Sequence, residues 1–298
     1  MYARRGFIAA AGLSLIALGL PSRARQTDGD DAAGQLVAAW RALEQRSGGR
    51  LGVFLRDSGS GVSLGHRAHE RFPMCSTFKF LLAAAVLQRV DRGLLQLEQR
   101  LPIRRQDMLS HAPVTSRHVG GDLDVAALCE ATMIWSDNPA ANLLLPLVGD
   151  PAGLTAFLRA SGDAVTRNDR NEPDVNLFAP DDPRDTTTPA AMAGNLQRLV
   201  LGQVLSPESR GRLAGWLVDN RTGDAQIRAG LPAHWTVGDK TGSNGRDTGN
   251  DIAVIWPDGG RAPWLLACYL QGAALDKAGR DGVLRDAAAL AAGWIGRH

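Results

Sequence analysis

The sequence predicts an α+β fold in which both ends of the chain build one five-stranded antiparallel sheet. Two strand-like segments occur near the N-terminus, at residues 50–57 and 61–67, and three more lie between residues 234 and 271. The long region between them has mainly the apolar spacing of helices. Strands at both ends of a chain with helices between them indicate an all-α domain inserted into a sheet domain.

The first and last elements are predicted to be helices that flank this sheet. Residues 30–49 have apolar side chains at helical spacing and end in Gly-Gly, which indicates a helix before the first strand. The Ser-Gly-Ser-Gly sequence at residues 58–61 joins the two N-terminal strands in a turn. An amphipathic pattern over residues 282–297 predicts the closing helix.

The middle of the chain contains six predicted helices and two long loops. The helical patterns lie at residues 76–93, 124–136, 138–149, 151–162, 188–202 and 206–220. Residues 104–121 and 166–188 have no regular pattern, and the second stretch is rich in Pro, Asp and Asn. Loops of this length in a compact domain are usually functional.

Length and composition are those of a globular protein with one or two cores. Of the 298 residues 44% are hydrophobic and 21% are charged, and the net charge is +2. A near-neutral balance spread along the chain argues against nucleic acid or an anionic membrane as a partner. We expect an α/β domain of residues 27–67 and 220–298 and an all-α domain of residues 68–219.

Residues 1–26 have the features of a secretory signal peptide. A basic start precedes an apolar stretch at residues 7–20, which is followed by a proline and a small residue. The pair Arg4-Arg5 also resembles a twin-arginine export signal. We expect a periplasmic or secreted protein with no stable membrane partner after cleavage; the alternative is an uncleaved membrane anchor.

Three patterns that resemble functional motifs have simpler structural interpretations. The G-x-S-x-G sequence at residues 61–65 lies in a predicted hairpin strand with no helix after it, unlike a nucleophile elbow. The histidines are scattered, so we predict no metal site and expect His66 to be a solvated loop residue. The three cysteines lie in apolar contexts and are predicted to be buried free thiols: Cys75, Cys129 and Cys268.

A serine and a lysine form the first candidate catalytic pair. Of the 33 basic residues only Lys79, Lys240 and Lys277 are lysines. Ser76 and Lys79 are i,i+3 neighbours in the first turn of a predicted helix whose next turns are apolar all round. A buried lysine, unlike arginine, can lose its proton and accept one from a serine hydroxyl, so Ser76 is a candidate nucleophile. The alternative is a chance spacing.

Two further motifs accompany this pair. A Ser-Asp-Asn sequence at residues 136–138 begins a predicted helix, where these residue types are also ordinary caps. A Lys-Thr-Gly-Ser sequence at residues 240–243 ends a predicted strand. Its hydroxyls, lysine and glycine suit a ligand that carries a carboxylate; the alternative is a strand that runs into a turn.

These motifs, in this order and with these separations, resemble those of the penicillin-recognising serine enzymes. Residues 167–185 are similar to the omega loop of class A β-lactamases, which this superfamily includes. The resemblance extends from about residue 38 to the C-terminus. It implies the β-lactamase/transpeptidase-like fold, a monomer, no cofactor, and hydrolysis of the β-lactam amide of penicillins and cephalosporins, which confers resistance.

The resemblance also implies catalytic roles for four residues. Ser76 attacks the β-lactam carbonyl, and Ser136 passes a proton to the departing ring nitrogen. Whether Lys79 or Glu172 takes the proton of Ser76 stays open, because the acylation base of the family is disputed. Glu172 then activates the water that hydrolyses the acyl-enzyme.

Further residues of the family pattern bind substrate or hold the omega loop. Asn176 helps Glu172 to hold the water, a salt bridge between Arg170 and Asp185 closes the loop, and the Glu172–Pro173 bond is expected to be cis. The remaining substrate-binding positions implied by the resemblance are Asn138, Lys240, Thr241, Gly242 and Ser243. The sequence departs from the family pattern at two substrate-binding positions. His111 occupies the position where the family usually has an aromatic residue that forms a wall of the site. The carboxylate-binding arginine that some members carry after the Lys-Thr-Gly motif is absent, and Arg280 is a candidate substitute for it.

Two competing functions have to be weighed against a β-lactamase. A cell-wall D,D-peptidase of the same superfamily would be acylated by β-lactams but would release them slowly, and the loop glutamate argues against it. A non-catalytic β-lactam sensor would usually have a membrane-anchored signalling region, and no such region is visible in the sequence.

Overall fold

The computed structural model describes residue 1 and residues 23–297, with only the backbone for residues 23–30. The predicted signal peptide of residues 1–26 therefore falls largely outside the described residues. Within the described part no single helix is long and apolar enough to cross a membrane. One pair of helical segments bent by 68°, Asn138–Val148 and Asp150–Ala160, meets the same requirement of length and composition.

Five of the nine strands among the described residues form one antiparallel sheet, which confirms the predicted fold class. All nine strands in chain order are β1 Arg50–Asp57, β2 Ser63–His66, β3 Phe72–Pro73, β4 Arg100–Pro102, β5 Asp122–Asp124, β6 Thr186–Thr187, β7 Thr236–Ser243, β8 Gly249–Trp256 and β9 Trp264–Gln271. The order in the sheet is β2-β1-β9-β8-β7, and all neighbours are antiparallel. The last strand of the chain thus lies between the first strand and β8.

A helix lies at each predicted position, with ends that differ by up to seven residues; the largest difference is at the first helix, which begins at Arg23 and not at residue 30. The helices are α1 Arg23–Ser47, α2 Phe78–Asp91, α3 Val125–Ile134, α4 Asn138–Leu144, α5 Asp150–Ala160, α6 Pro189–Leu196, α7 Pro207–Val218 and α8 Lys277–Ile295. The expectation that Ser76 lies in the first α-helical turn needs a correction. Ser76 lies in a 3₁₀ turn, Cys75–Thr77, that leads into α2.

Two hydrophobic cores lie on opposite faces of the sheet, because side chains alternate between faces along each strand. Ile252 and Val254 of β8 belong to the core that continues into the helices from α2 to α7. Ala253 and Ile255 of the same strand face the second core, which α1 and α8 cover. The sheet is therefore buried on both sides; in the helical region α7 packs against its β7 edge and α6 against β9 and β1.

Two pairs of short strands were not predicted from the sequence. β3 pairs with β6, and β4 pairs with β5, both antiparallel. Each pair joins the end of a loop to a segment at least 20 positions away, so neither has a local hairpin signal. The β3–β6 pair fastens the C-terminal end of the omega loop beside the turn that carries Ser76.

The three cysteines are free and buried, as expected, and burial raises the pKa of each thiol. The expectation for His66 was wrong. His66 is buried, and its Nε2 lies 2.8 Å from the carboxylate of Glu44 in α1. The register of β2 turns this side chain toward α1, and that register was not visible in the sequence.

Candidate active site

A cleft of about 760 Å³ lies between the β7 edge of the sheet and the helical region. Ten of the residues predicted for the site line it: Ser76, His111, Ser136, Asn138, Glu172, Asn176, Thr241, Gly242, Ser243 and Arg280. Lys79 and Lys240 are fully buried and hydrogen-bond residues that line the cleft. Arg170 and Asp185 lie at the base of the omega loop.

The turn that carries Ser76 is held by the sheet. Cys75 has a φ of +44°, a left-handed conformation that is costly for a residue with a side chain and is found mainly at functional sites. Asn250 of β8 donates from Nδ2 to the carbonyls of Pro73 and Met74, at 2.9 and 3.1 Å. The preceding backbone is thereby fixed, and Ser76 begins the helical region at the cleft.

Lys79 is surrounded by oxygen atoms from three chain segments. Its Nζ lies 2.9 Å from Ser76 Oγ, 2.8 Å from the Ser136 carbonyl and 2.5 Å from Asn138 Oδ1. Glu172 Oε1 lies 3.2 Å away, at ion-pair distance. Burial lowers the pKa of Lys79, and the Glu172 carboxylate opposes this shift by favouring the charged amine.

Ser136 lies between the two buried lysines. Its Oγ is 3.1 Å from Lys240 Nζ and 3.4 Å from Lys79 Nζ. Burial, and after it the positive charge of Lys79, lowers the pKa of Lys240 to about 7. Ser136 itself has a φ of +59°, a second strained residue at the cleft. A hydroxyl between two amines of lowered pKa can pass a proton in either direction.

Glu172 is positioned through both its backbone and its side chain. Asn142 of α4 donates to the Glu172 carbonyl at 2.8 Å and accepts from the Glu172 N–H at 2.9 Å. Asn176 Nδ2 donates to Glu172 Oε2 at 2.6 Å. Glu172 Oε1 and Asn176 Oδ1 are both buried and accept no hydrogen bond from the described residues. Glu172 Oε1 lies 3.2 Å from the Lys79 ammonium, and both side chains line the same cleft as Ser76.

The omega loop is closed at its base by a buried carboxylate. Asp185 is fully buried and accepts hydrogen bonds from Arg170 Nε at 2.5 Å, Asn168 Nδ2 at 2.9 Å and the Asp169 N–H at 2.7 Å. The Glu172–Pro173 peptide bond is cis. The loop between these two points carries Glu172 toward the cleft.

Gly242 allows β7 to approach the Ser76 turn. A Cβ at this position would lie 2.7 Å from the Met74 carbonyl oxygen and 3.2 Å from the Ser76 nitrogen. The sequence suggested that this glycine admits a ligand, whereas its closest neighbours are the backbone of the turn. The adjacent hydroxyls are also held, since Thr241 Oγ1 lies 2.5 Å from Thr222 Oγ1 and Ser243 Oγ donates to the Thr248 carbonyl.

His111 and Arg280 line opposite parts of the cleft. His111 is exposed, and its Nε2 is 2.9 Å from the Trp135 carbonyl. Arg280 is buried and donates from Nη1 to the carbonyls of Arg246 and Leu275, the second at 2.5 Å. A Cβ at Gly249 would lie 3.4 Å from the Arg280 Cβ, in ordinary van der Waals contact.

Two positioning residues, Asn142 and Asn250, were not identified from the sequence, and Asp137 was considered there only as part of the Ser-Asp-Asn motif and as a helix cap. The Asp137 side chain accepts from the N–H groups of Val114, Thr115 and Ala140, and so it fastens the 104–121 loop to α4. Asn142 follows Asn138 by four residues on the same helix face, a spacing that could have indicated it. Asn250 gave no such signal. Among the described residues no cluster of His, Cys, Asp and Glu could hold a metal ion.

The arrangement is suited to covalent catalysis by a serine. A hydroxyl contacts an amine of lowered pKa, a second hydroxyl bridges two amines, and a buried carboxylate contacts the first amine. These groups can remove a proton from a nucleophile, deliver one to a leaving group, and activate a water molecule.

The whole sequence is similar to those of known proteins. Residues 35–295 match the model of the β-lactamase enzyme family. The chain is 54% identical to β-lactamase L2 of Stenotrophomonas maltophilia, over 99% of this chain and 100% of that protein. It is 50% identical to β-lactamase CTX-M-8 of Citrobacter amalonaticus, over 76% of this chain and 78% of that protein.

Solved structures give a similar result. A β-lactamase from Xanthomonas campestris pv. campestris has a TM-score of 0.88 at 61% identity, over 89% of this chain and 98% of that one. An ancestral class A β-lactamase has a TM-score of 0.85 at 55% identity, over 87% of this chain and 99% of that one.

Proposed function

The chain belongs to the class A serine β-lactamases and is a β-lactam hydrolase, and from this premise we propose how its residues carry out the reaction. Its substrates are penicillins and cephalosporins, and its activity confers resistance to them. Ser76 forms an ester with the opened β-lactam, and water activated by Glu172 hydrolyses that ester.

Acylation begins when Ser76 Oγ attacks the β-lactam carbonyl carbon and loses its proton. Lys79 Nζ lies 2.9 Å from this oxygen, and Glu172 Oε1 lies 3.2 Å from Lys79 Nζ. Either group can be the final acceptor of the proton. The N–H groups of Ser76 and Ser243 stabilise the oxyanion, because Gly242 brings the end of β7 beside the turn.

Collapse of this intermediate breaks the bond between the carbonyl carbon and the ring nitrogen. Ser136 gives its proton to that nitrogen and regains one from Lys79 or Lys240, which lie 3.4 and 3.1 Å away. Lys240, Thr241 and Ser243 bind the ring carboxylate. Arg280 adds a permanent positive charge at the end of the cleft beside Gly249.

The acyl side chain of the substrate lies toward the other end of the cleft. Asn138 and Asn176 offer amide groups there, and His111 forms the wall. The Oδ1 atom of Asn138 is engaged by Lys79, and its Nδ2 donates to the Ser110 carbonyl at 3.0 Å. The amide of Asn138 is therefore held in one orientation when substrate enters.

Deacylation depends on Glu172, and one observation carries this part of the proposal. Glu172 Oε1 and Asn176 Oδ1 are buried acceptors on two side chains that hydrogen-bond each other; no described residue donates a hydrogen bond to Asn176 Oδ1, and Glu172 Oε1 has only the Lys79 ammonium, at an ion-pair distance of 3.2 Å. A water molecule donating to both would satisfy them and would face the ester carbonyl. Glu172 takes a proton from this water as its oxygen attacks, and Ser76 leaves with a proton returned to its oxygen.

Replacing Glu172 by Gln tests this assignment. We expect the variant to react once with a chromogenic cephalosporin and to keep a covalent adduct on Ser76, detectable by intact mass, while the wild type turns over many times. Asp174→Asn removes an exposed carboxylate from the same loop and should turn over like the wild type. Unchanged turnover by the Gln variant would contradict the role of Glu172.

The biological setting follows the same reasoning. We propose that residues 1–26 direct export to the periplasm or the medium, and that the mature enzyme acts there as a monomer. We also propose two domains, residues 27–67 with 220–298 and residues 68–219, with the cleft at their junction.

A further inference from the structure

All three lysines of the chain lie in or directly beneath the same cleft. Lys79 and Lys240 lie below its floor, and Lys277 lines its rim together with Arg221 and Arg280. The other basic residues among the 33 are all arginines. Lys277 has no part in the steps described above, so its position requires a separate explanation.

Lys277 lies where a cation weakens its own helix. It follows the N-cap Asp276 in the first turn of α8, next to the positive end of the helix dipole. It also precedes its partner Asp281 in the i,i+4 order that stabilises a helix less than the reverse order. Residues that act against local stability often occur at functional sites.

The ammonium of Lys277 is nevertheless held at the cleft. Its Nζ lies 2.5 Å from Asp281 Oδ2, and Asp281 Oδ1 accepts from Gln226 Nε2 at 2.8 Å. Gln226 lines the cleft, so this chain of contacts ties the start of α8 to the segment that carries Arg221. The Lys277 side chain remains 76% exposed and can contact a ligand.

The rim carries positive charge beyond its ion pairs. Lys277 is paired with Asp281, whereas Arg221 is exposed, and among the described residues that line the cleft Glu172 is the one acid, which lies beside Lys79. When Lys240 and Thr241 bind the carboxylate of the substrate ring, as proposed above, the ring substituent next to that carboxylate faces this rim. The acyl side chain lies toward Asn138, at the other end of the cleft.

We propose that Lys277 and Arg221 form a second anion subsite, which selects β-lactams whose fused ring carries a negative charge in addition to its carboxylate. This inference rests on the proposed orientation of the substrate. Two point charges about 7 Å apart in water alter binding roughly threefold, so each residue should contribute an effect of that size.

Cephalosporins that share one acyl side chain and differ only at C3 provide the test. The three C3 groups would be a neutral acetoxymethyl, an anionic hydroxytriazinone thioether and a cationic pyrrolidinium. The measured quantity is kcat/KM for each charged substrate divided by kcat/KM for the neutral one. Lys277→Gln and Arg221→Gln should each lower the anionic ratio roughly threefold, and Lys277→Glu roughly tenfold. The cationic ratio should rise in the same variants.

Arg285→Gln is the matched control, since it removes one positive charge from an exposed position of the same helix outside the cleft. Its ratios should equal those of the wild type. At about 1 M salt, where the Debye length is ~3 Å, the differences between variants should disappear. Turnover of all three substrates with ratios unchanged in Lys277→Glu would refute the subsite but not the reaction. Absence of turnover in the wild type would instead refute the proposed function.

Discussion

The contact between Gly242 and the Ser76 turn permits a quantitative prediction. In Gly242→Ala the new Cβ would lie 2.7 Å from the Met74 carbonyl oxygen, 3.1 Å from the Thr77 nitrogen and 3.2 Å from the Ser76 nitrogen. All three neighbours are backbone atoms, so no flexible side chain can move aside. The end of β7 must therefore shift away from the turn.

The size of that shift sets the expected losses. Cβ atoms rarely come closer than 3.0 Å to another atom and usually stay beyond 3.4 Å, so β7 must move by about 0.3–0.7 Å. Overpacking of this kind costs about 1–3 kcal/mol of stability. A displacement of about 1 Å at a catalytic centre can lower the rate roughly a hundredfold, so we expect kcat/KM to fall about tenfold.

Steady-state hydrolysis and urea unfolding of the same preparations would measure both losses. Gly211→Ala is the control, because a Cβ there meets nothing within 4 Å on the exposed face of α7. It should leave activity unchanged and raise stability by about 0.5–1 kcal/mol, since alanine favours a helix over glycine. If Gly242→Ala kept wild-type activity and stability, the close approach of β7 to the turn would not be what requires the glycine.

Two further predictions concern pH and the omega loop. The pKa of Lys240 is lowered to about 7, so this amine loses its charge as the pH rises through about 7. We therefore expect kcat/KM for substrates with a ring carboxylate to fall over the same pH range. A pH–rate profile that is flat from pH 6 to 9 would contradict this prediction. Replacing Asp185 by Asn should reduce the free energy of unfolding by about 3–5 kcal/mol, because it leaves the largely buried Arg170 without its carboxylate. Urea unfolding measures the loss. The control is Asp182→Asn, which breaks the more exposed ion pair with Arg184 on the same loop and should have little effect on stability. Equal losses of stability in both variants would refute the special role of Asp185.

The sequence was sufficient wherever the chemistry depends on residues close together in the chain. Ser76 and Lys79 are three residues apart, and their contact follows from helical geometry alone. The five strands of the sheet also followed from local patterns. Their antiparallel arrangement followed from the position of the strands at the two ends of the chain.

Contacts between segments distant in the chain could not be predicted from local sequence patterns. The bonds from Asn250 to Pro73 and Met74 join residues more than 170 positions apart, and only the register of β8 aims that side chain. The burial of His66 against Glu44 depends on the register of β2 in the same way. The two short strand pairs depend on tertiary structure, because two or three residues carry too little pattern to be recognised.

The position of β9 between β1 and β8 determines when the molecule can become active. β1 cannot find its principal neighbour until nearly the whole polypeptide exists, and the side chain that fixes the nucleophile's turn comes from a strand synthesised almost as late. A nascent or C-terminally truncated chain would contain Ser76, Lys79 and Glu172 without a sheet edge to align them. We therefore expect hydrolysis to begin only on completion of the final strand, with no partially competent precursor.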